Sequence, residues 1–355
     1  MINDHNLRNT NMTNFANHRL QLLRCTGRNK GHNEFIAMNQ LNRNHLTPGF
    51  QRQLVLEFVK VKSVNAVKIT VGEKSDERPP YISSHTRGNS SGSGTAFISS
   101  NMEQQRTCLD PNCSVIDTQP HHHQTSGTFR VLTTDGTVYD DFEAGKAEVE
   151  FFFEEDEDTI KAQGLNMVSV SHVEGVCVIE CVTHDLDLYG RMRQCEQKKI
   201  EIMKMISKSN AYIIHSAPCN AAIVAANAAR SIFELMVVVI SHPHAEEKHV
   251  SIGQLKAVRR VHLVDDAADA AWADDDGPVI CNFHYTAATC EGSGGGSVNF
   301  FDLAGRLVGF ATHVGFAYIA RREDDAGNPR DVRLKTAHGW ITKPYAPPHL
   351  PKINL

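Results

Sequence analysis

The sequence has no apolar run near the roughly 20 residues that a membrane-crossing helix needs. Residues 1–17 are polar and asparagine-rich and lack the apolar centre of a secretory leader, so the expected compartment is intracellular. Regular cysteine spacing is also missing. The nine cysteines are an odd number, and Cys177, Cys181 and Cys281 stand in apolar, strand-like runs where a thiol behaves as a small hydrophobe, so free thiols are expected rather than a disulfide framework. Positive charge is nowhere concentrated: 36 Lys and Arg against 41 Asp and Glu leave a net charge of −5, which excludes the usual footprint of a nucleic-acid binder. Neither nucleic acid nor membrane is expected as a partner. Metal-ligand patterns are absent too, since no Cys pair or helical His spacing occurs, and the acidic run 148–158 lacks the central Gly of a calcium loop. That run reads as a solvated acidic loop or edge, and no cofactor is expected. A metal-binding reading would have to use His121, His122 and His123 with His242 or His244.

What the sequence does carry is concentrated in residues 290–316. Cys290-Glu291-Gly292-Ser293-Gly294-Gly295-Gly296-Ser297-Val298 runs into an apolar strand, a polar turn follows at 302–306, and a second apolar strand returns. Four glycines within five positions let the backbone take positive φ and aim successive N–H groups at one point, a nest for an anion or a developing oxyanion. A flexible Gly/Ser linker is the other reading of such a run. Its flanks, a cysteine and a hairpin of buried-looking strands, favour the nest.

The order Cys-x-Gly-x-Ser-Gly-Gly-Pro-Val, then a strand, a Gly turn and Leu-Val-Gly, is that of the nucleophile loop of trypsin-like serine peptidases, including the high-temperature-requirement branch, and this loop resembles it. Cys290, Gly292, Gly295, Gly296 and Val298 match without gaps. The nucleophile position falls on Gly294, Ser293 precedes it, and Ser297 takes the proline position. The resemblance implies a mainly β fold of two six-stranded antiparallel β-barrels with a helical insertion between them. It also implies an oxyanion hole at the amides of Gly292 and Gly294, with Thr312 and His313 on the substrate side. The Gly92-Ser93-Gly94 segment before an apolar strand resembles the opening of the family's first barrel, and Thr118-Gln119-Pro120-His121 its Thr-x-x-His.

Along the chain, residues 1–52 read as a polar, mobile arm with a short helix near 33–41, 53–189 as the first barrel, and 190–235 as a helical connection. Residues 236–324 read as the second barrel with its Gly-rich loop, and 325–355, rich in Pro and Gly, as an irregular tail. Within the first barrel, 53–71 is rich in β-branched and apolar residues and reads as one or two strands, and 129–139 as a hairpin turning at Asp135-Gly136.

Serine hydrolysis needs a hydroxyl nucleophile, an imidazole, an acid to orient it and amide donors. The candidates are Ser293, His121 and Asp185, with Glu174 as the competing register for the acid. Asp185 reads equally well as a helix N-cap. Cys290 would precede the nest rather than sit within it. A glycine in the nucleophile position leaves two functions open. One is a serine endopeptidase acting on peptide or protein substrates through Ser293; the other is an inactive pseudopeptidase that binds peptides or partner proteins along the old cleft.

Overall fold

The computed structural model describes residues 33–79, 90–98, 126–153, 159–172, 174–214, 235–260, 279–323 and 329–341. Six of its strands close into a first antiparallel barrel: β2 (Ala66–Val71), β3 (Ser90–Phe97), β4 (Gly127–Thr134), β5 (Ala147–Phe151), β6 (Ile160–Ser171) and β7 (Val176–Thr183). Around that barrel the order is β2-β3-β4-β7-β6-β5. Alternation along β2 sends Val67, Ile69 and Val71 inward, where they meet Phe129, Val131, Val149 and Ile179.

A second ring is built from β8 (Met236–Ser241), β9 (His249–Arg260), β10 (Val279–Tyr285), β11 (Ser297–Phe301), β12 (Leu307–Glu323) and β13 (Pro329–Ile341). Its order β8-β9-β10-β13-β12-β11 closes through the pairing of β8 with β11. Numbered within each barrel, both run 1-2-3-6-5-4, so one connection pattern is used twice. Closure leaves neither barrel an open edge to aggregate. The fold is therefore mainly β with two six-stranded antiparallel barrels, as the resemblance implied, and α3 (Leu186–Ile214) leaves the first barrel toward the second. No helix among the described residues is long and apolar enough to cross a membrane.

Four local readings are corrected. Residues 53–64 form a helix, α1 (Gln53–Val64), rather than a strand. It buries Val55, Leu56, Phe58 and Val59, and packing overrides the strand preference of its valines. The segment ahead of it is not a free arm over its described part. Met38, Leu41, Leu46 and Phe50 are buried in the same cluster as Val238, Ile240 and Phe301 of the second barrel. Near 33–41 the structure has a two-residue strand, β1 (Ile36–Ala37), paired with β9, and a 3₁₀ turn. Within the expected irregular tail, 329–341 is β13, held between β10 and β12.

The hairpin at 129–139 is replaced by β4 and a short helix, α2 (Asp141–Gly145), because the Asp140 side chain accepts a hydrogen bond from the Glu143 amide and caps that helix. The acidic run begins as β5, where the buried Glu150 pairs with Lys68 at 2.7 Å. The rest of that run at 154–158 lies outside the described residues, as does the helical reading of 220–236 up to residue 234, and Met236 at its end opens β8 instead.

Candidate active site at the barrel seam

The glycine loop lies between β10 and β11 and is tied to the first barrel by one residue. Ser93 donates its amide to the Gly294 carbonyl (2.8 Å) and its hydroxyl to the Gly292 carbonyl (2.8 Å), and it accepts at that hydroxyl from the His242 amide (2.8 Å). Its own carbonyl takes the Thr133 hydroxyl at 2.7 Å. Only small neighbours allow this approach: a Cβ on Gly295, whose φ is +85°, would stand 1.9 Å from the Ser93 carbonyl oxygen. The Gly92-Ser93-Gly94 motif was legible as a strand opening, but its role as the clamp between barrels was not.

Second-barrel bonds complete the turn. Gly295 donates to the His313 carbonyl (2.9 Å), Gly296 to the Ser293 carbonyl (2.9 Å), and the His313 amide to the Gly296 carbonyl (2.9 Å). Both backbone groups of His313 thus hold the loop. Its buried ring meets the Tyr285 hydroxyl at 2.7 Å through Nδ1, and Thr312 beside it is buried as well. Burial alone pushes the Tyr285 hydroxyl well above its ordinary pKa.

After these bonds are made, the amides of Gly292 and Gly294 have no hydrogen-bond acceptor among the described residues, and both glycines are half-buried. They are the two donors the resemblance assigns to an oxyanion hole. The hydroxyl arrangement differs. Ser293 is fully buried, and its Oγ accepts from the Cys290 amide (3.2 Å) and from the Ser241 hydroxyl (3.2 Å).

The position with the nucleophile's place in the motif is Gly294, and a Cβ there would face threonines: Thr134 Oγ1 at 3.2 Å and Thr137 Oγ1 at 3.9 Å. Those two hydroxyls are 3.1 Å apart. Thr134 ends β4 and Thr137 lies in the turn after it, where Thr133-Thr134-Asp135-Gly136 puts a glycine three residues after Thr133. That turn is braced from below by Arg78, which donates to the carbonyls of Gly136 (3.0 Å) and Thr137 (3.3 Å) and pairs with the buried Glu143.

Asp185 accepts from the Leu188 amide at 2.7 Å in the first turn of α3. It lies two residues past the end of β7, while Gly175, just before the start of that strand, takes the Asp135 amide beside the threonine turn. Eight strand residues at about 3.3 Å each put roughly 25 Å between the two ends. Glu174, the competing register, is at the near end, next to Gly175. His121 lies outside the described residues, as do His122 and His123. No group of three or more metal-ligating side chains occurs among the described residues.

Two closed six-stranded antiparallel barrels of identical strand order, with a glycine turn clamped between them, define a double β-barrel fold. No family model matches the sequence, and no curated protein does. Among solved structures the chain is similar to the Rv3671c protease from M. tuberculosis in its active form, with 14% identity, TM-score 0.32, and coverage of 81% of this chain and 79% of that one. It is similar also to Deg5, at 11% identity, TM-score 0.34, and coverage of 73% and 84%. The HtrA-type protease AlgW with a tripeptide gives 11%, TM-score 0.33, and coverage of 81% and 60%.

Proposed function

We infer that this chain binds an extended peptide or a partner protein at the seam of its two barrels and does not hydrolyse it. One observation carries the reading: Gly294 supplies no hydroxyl in the nucleophile's place, while the neighbouring Ser293 hydroxyl is buried and engaged by Cys290 and Ser241. Loss of a triad member costs on the order of 10⁴ to 10⁶ in rate, so a chain without the hydroxyl keeps a groove and amide donors but little chemistry. An intracellular setting belongs to the same reading, since Cys177, Cys181, Cys195 and Cys290 are free thiols.

The rival reading is a serine endopeptidase acting through Ser293, His121 and Asp185 or Glu174, with Thr312 and His313 on the substrate side. The amides of Gly292 and Gly294, without an acceptor among the described residues, favour it as much as they favour binding. A fluorophosphonate probe separates the two. No labelling of the folded protein, with no cleavage of a peptide library by mass spectrometry, is expected; labelling at Ser293 would establish the peptidase.

A further inference from the structure

Resting on the reading of a chain that does not hydrolyse what it binds, we propose that Gly136 stands where the base of a peptidase would stand, opposite Gly294 in the nucleophile's place, with the Thr134 side chain filling the space between them. The assignment starts from Gly294. The nearest neighbour of a Cβ built there is Thr134 Oγ1 at 3.2 Å, so the first-barrel element that faces it is the end of β4 and the turn that follows. A base has to sit on whatever faces the nucleophile, because it must reach the proton it takes over about 3 Å. Thr133 is the next-to-last residue of that strand, and three places on, where a Thr-x-x-His pattern puts its imidazole, is Gly136.

The distances agree with that reading. Apart from its chain neighbours, a Cβ at residue 136 would meet one heavy atom within 4 Å among the described residues, and it is again Thr134 Oγ1, at 3.8 Å. Two positions 3.2 and 3.8 Å from one atom are at most about 7 Å apart. An imidazole, a hydroxyl and one hydrogen bond of about 3 Å between them cover that separation. The oxygen that lies by both positions belongs to a threonine already paired with Thr137 at 3.1 Å. Nor does the backbone require these glycines. Gly292 and Gly295 each have φ +85°, whereas neither Gly136 nor Gly294 has a positive φ. Only side chains are missing from the two places, and freeing the Ser293 hydroxyl would not supply the base.

The test places a thiol and an imidazole at the two positions and reads their coupling. In a Thr134→Ala background, which removes the oxygen crowding residue 294, Gly294→Cys is alkylated with iodoacetamide over a range of pH, and modification at residue 294 is followed by mass spectrometry. Its half-maximal point is expected near the ordinary thiol value of about 8.5. Adding Gly136→His should lower that point by at least about one unit, the effect of an opposite charge within about 6 Å, and Gly136→Gln should not. The charges of Asp135, Arg78 and Glu143 around the turn are common to these chains and cancel. Gly294→Cys should also melt at a higher temperature with Thr134→Ala than without it.

Equal profiles for Gly136→His and Gly136→Gln would overturn the assignment. So would a point already lowered before residue 136 is changed and raised by His121→Ala, or by His172→Ala, whose ring pairs with Asp135 of the same turn at 3.2 Å. Loss of a cooperative melt on introducing either side chain into the Thr134→Ala background would show that more than Thr134 fills the space, and would overturn it as well. Failure of the non-hydrolytic reading is seen separately, as fluorophosphonate labelling of the parent at Ser293.

Discussion

Arg78 shows how much of the seam hangs on single side chains. Its guanidinium donates to Glu143 through Nε (2.7 Å) and Nη2 (2.5 Å), and Glu143 also accepts from the amides of Ser75 (3.0 Å) and Tyr139 (2.9 Å). With side-chain exposures of 2% and 0%, neither ion has water to fall back on. Removing one member of such a pair leaves a buried charge and costs about 3–5 kcal/mol. Arg78→Ala is therefore expected to lower the thermal midpoint markedly and to release the Thr134–Thr137 turn. Replacing both ions with apolar residues should cost much less. A single variant as stable as the parent would refute the bracing role. None of this was legible in the sequence, because Arg78 and Glu143 are 65 residues apart and ordinary surface-type residues by composition. The glycine loop was legible, because a nest is a local backbone pattern that announces itself in consecutive residues.

The same contrast holds for elements. Strands whose partners adjoin them in sequence were readable: β11 and β12 pair across the turn at 302–306, as the two apolar runs on either side of that turn suggest. Elements defined by distant partners were not. β13 carries Arg330, Asp331, Arg333 and Lys335 and reads as a tail until β10 and β12 are placed on either side of it. Residues of α1 satisfy a strand pattern as well as a helical one, and packing decides between them. Phe58, 1% exposed, meets the Phe301 ring edge-on at 5.7 Å, so the helix preceding the first barrel is anchored on the second. Truncating a buried phenylalanine costs about 3–5 kcal/mol. Phe58→Ala should accordingly speed limited proteolysis between α1 and β2 and lower the thermal midpoint. Unchanged protease resistance would mean that α1 is not fastened to the second barrel through this ring.

At the scale of the whole molecule, two copies of one strand order meet across a polar seam, and that seam contains an ionisable group with no room for charge. His242 is fully buried, and its Nδ1 donates to the Glu246 carbonyl at 3.0 Å. Burial first, and then the charges of Lys248 and Lys68, push its pKa from 6.5 down to about 3. The sign follows from proton binding. Between these two values the unfolded chain takes up a proton that the folded chain refuses, so stability is full above about pH 6.5 and is lost as pH falls toward 3. Within that window each pH unit costs about 1.4 kcal/mol. Other groups titrate there too, but they cancel in a comparison of the parent with His242→Asn, whose side-chain amide keeps a donor for Glu246. Thermal midpoints measured from pH 7 to pH 4 should fall more steeply for the parent. Parallel profiles would show that His242 is protonated in the folded protein and that the seam tolerates its charge.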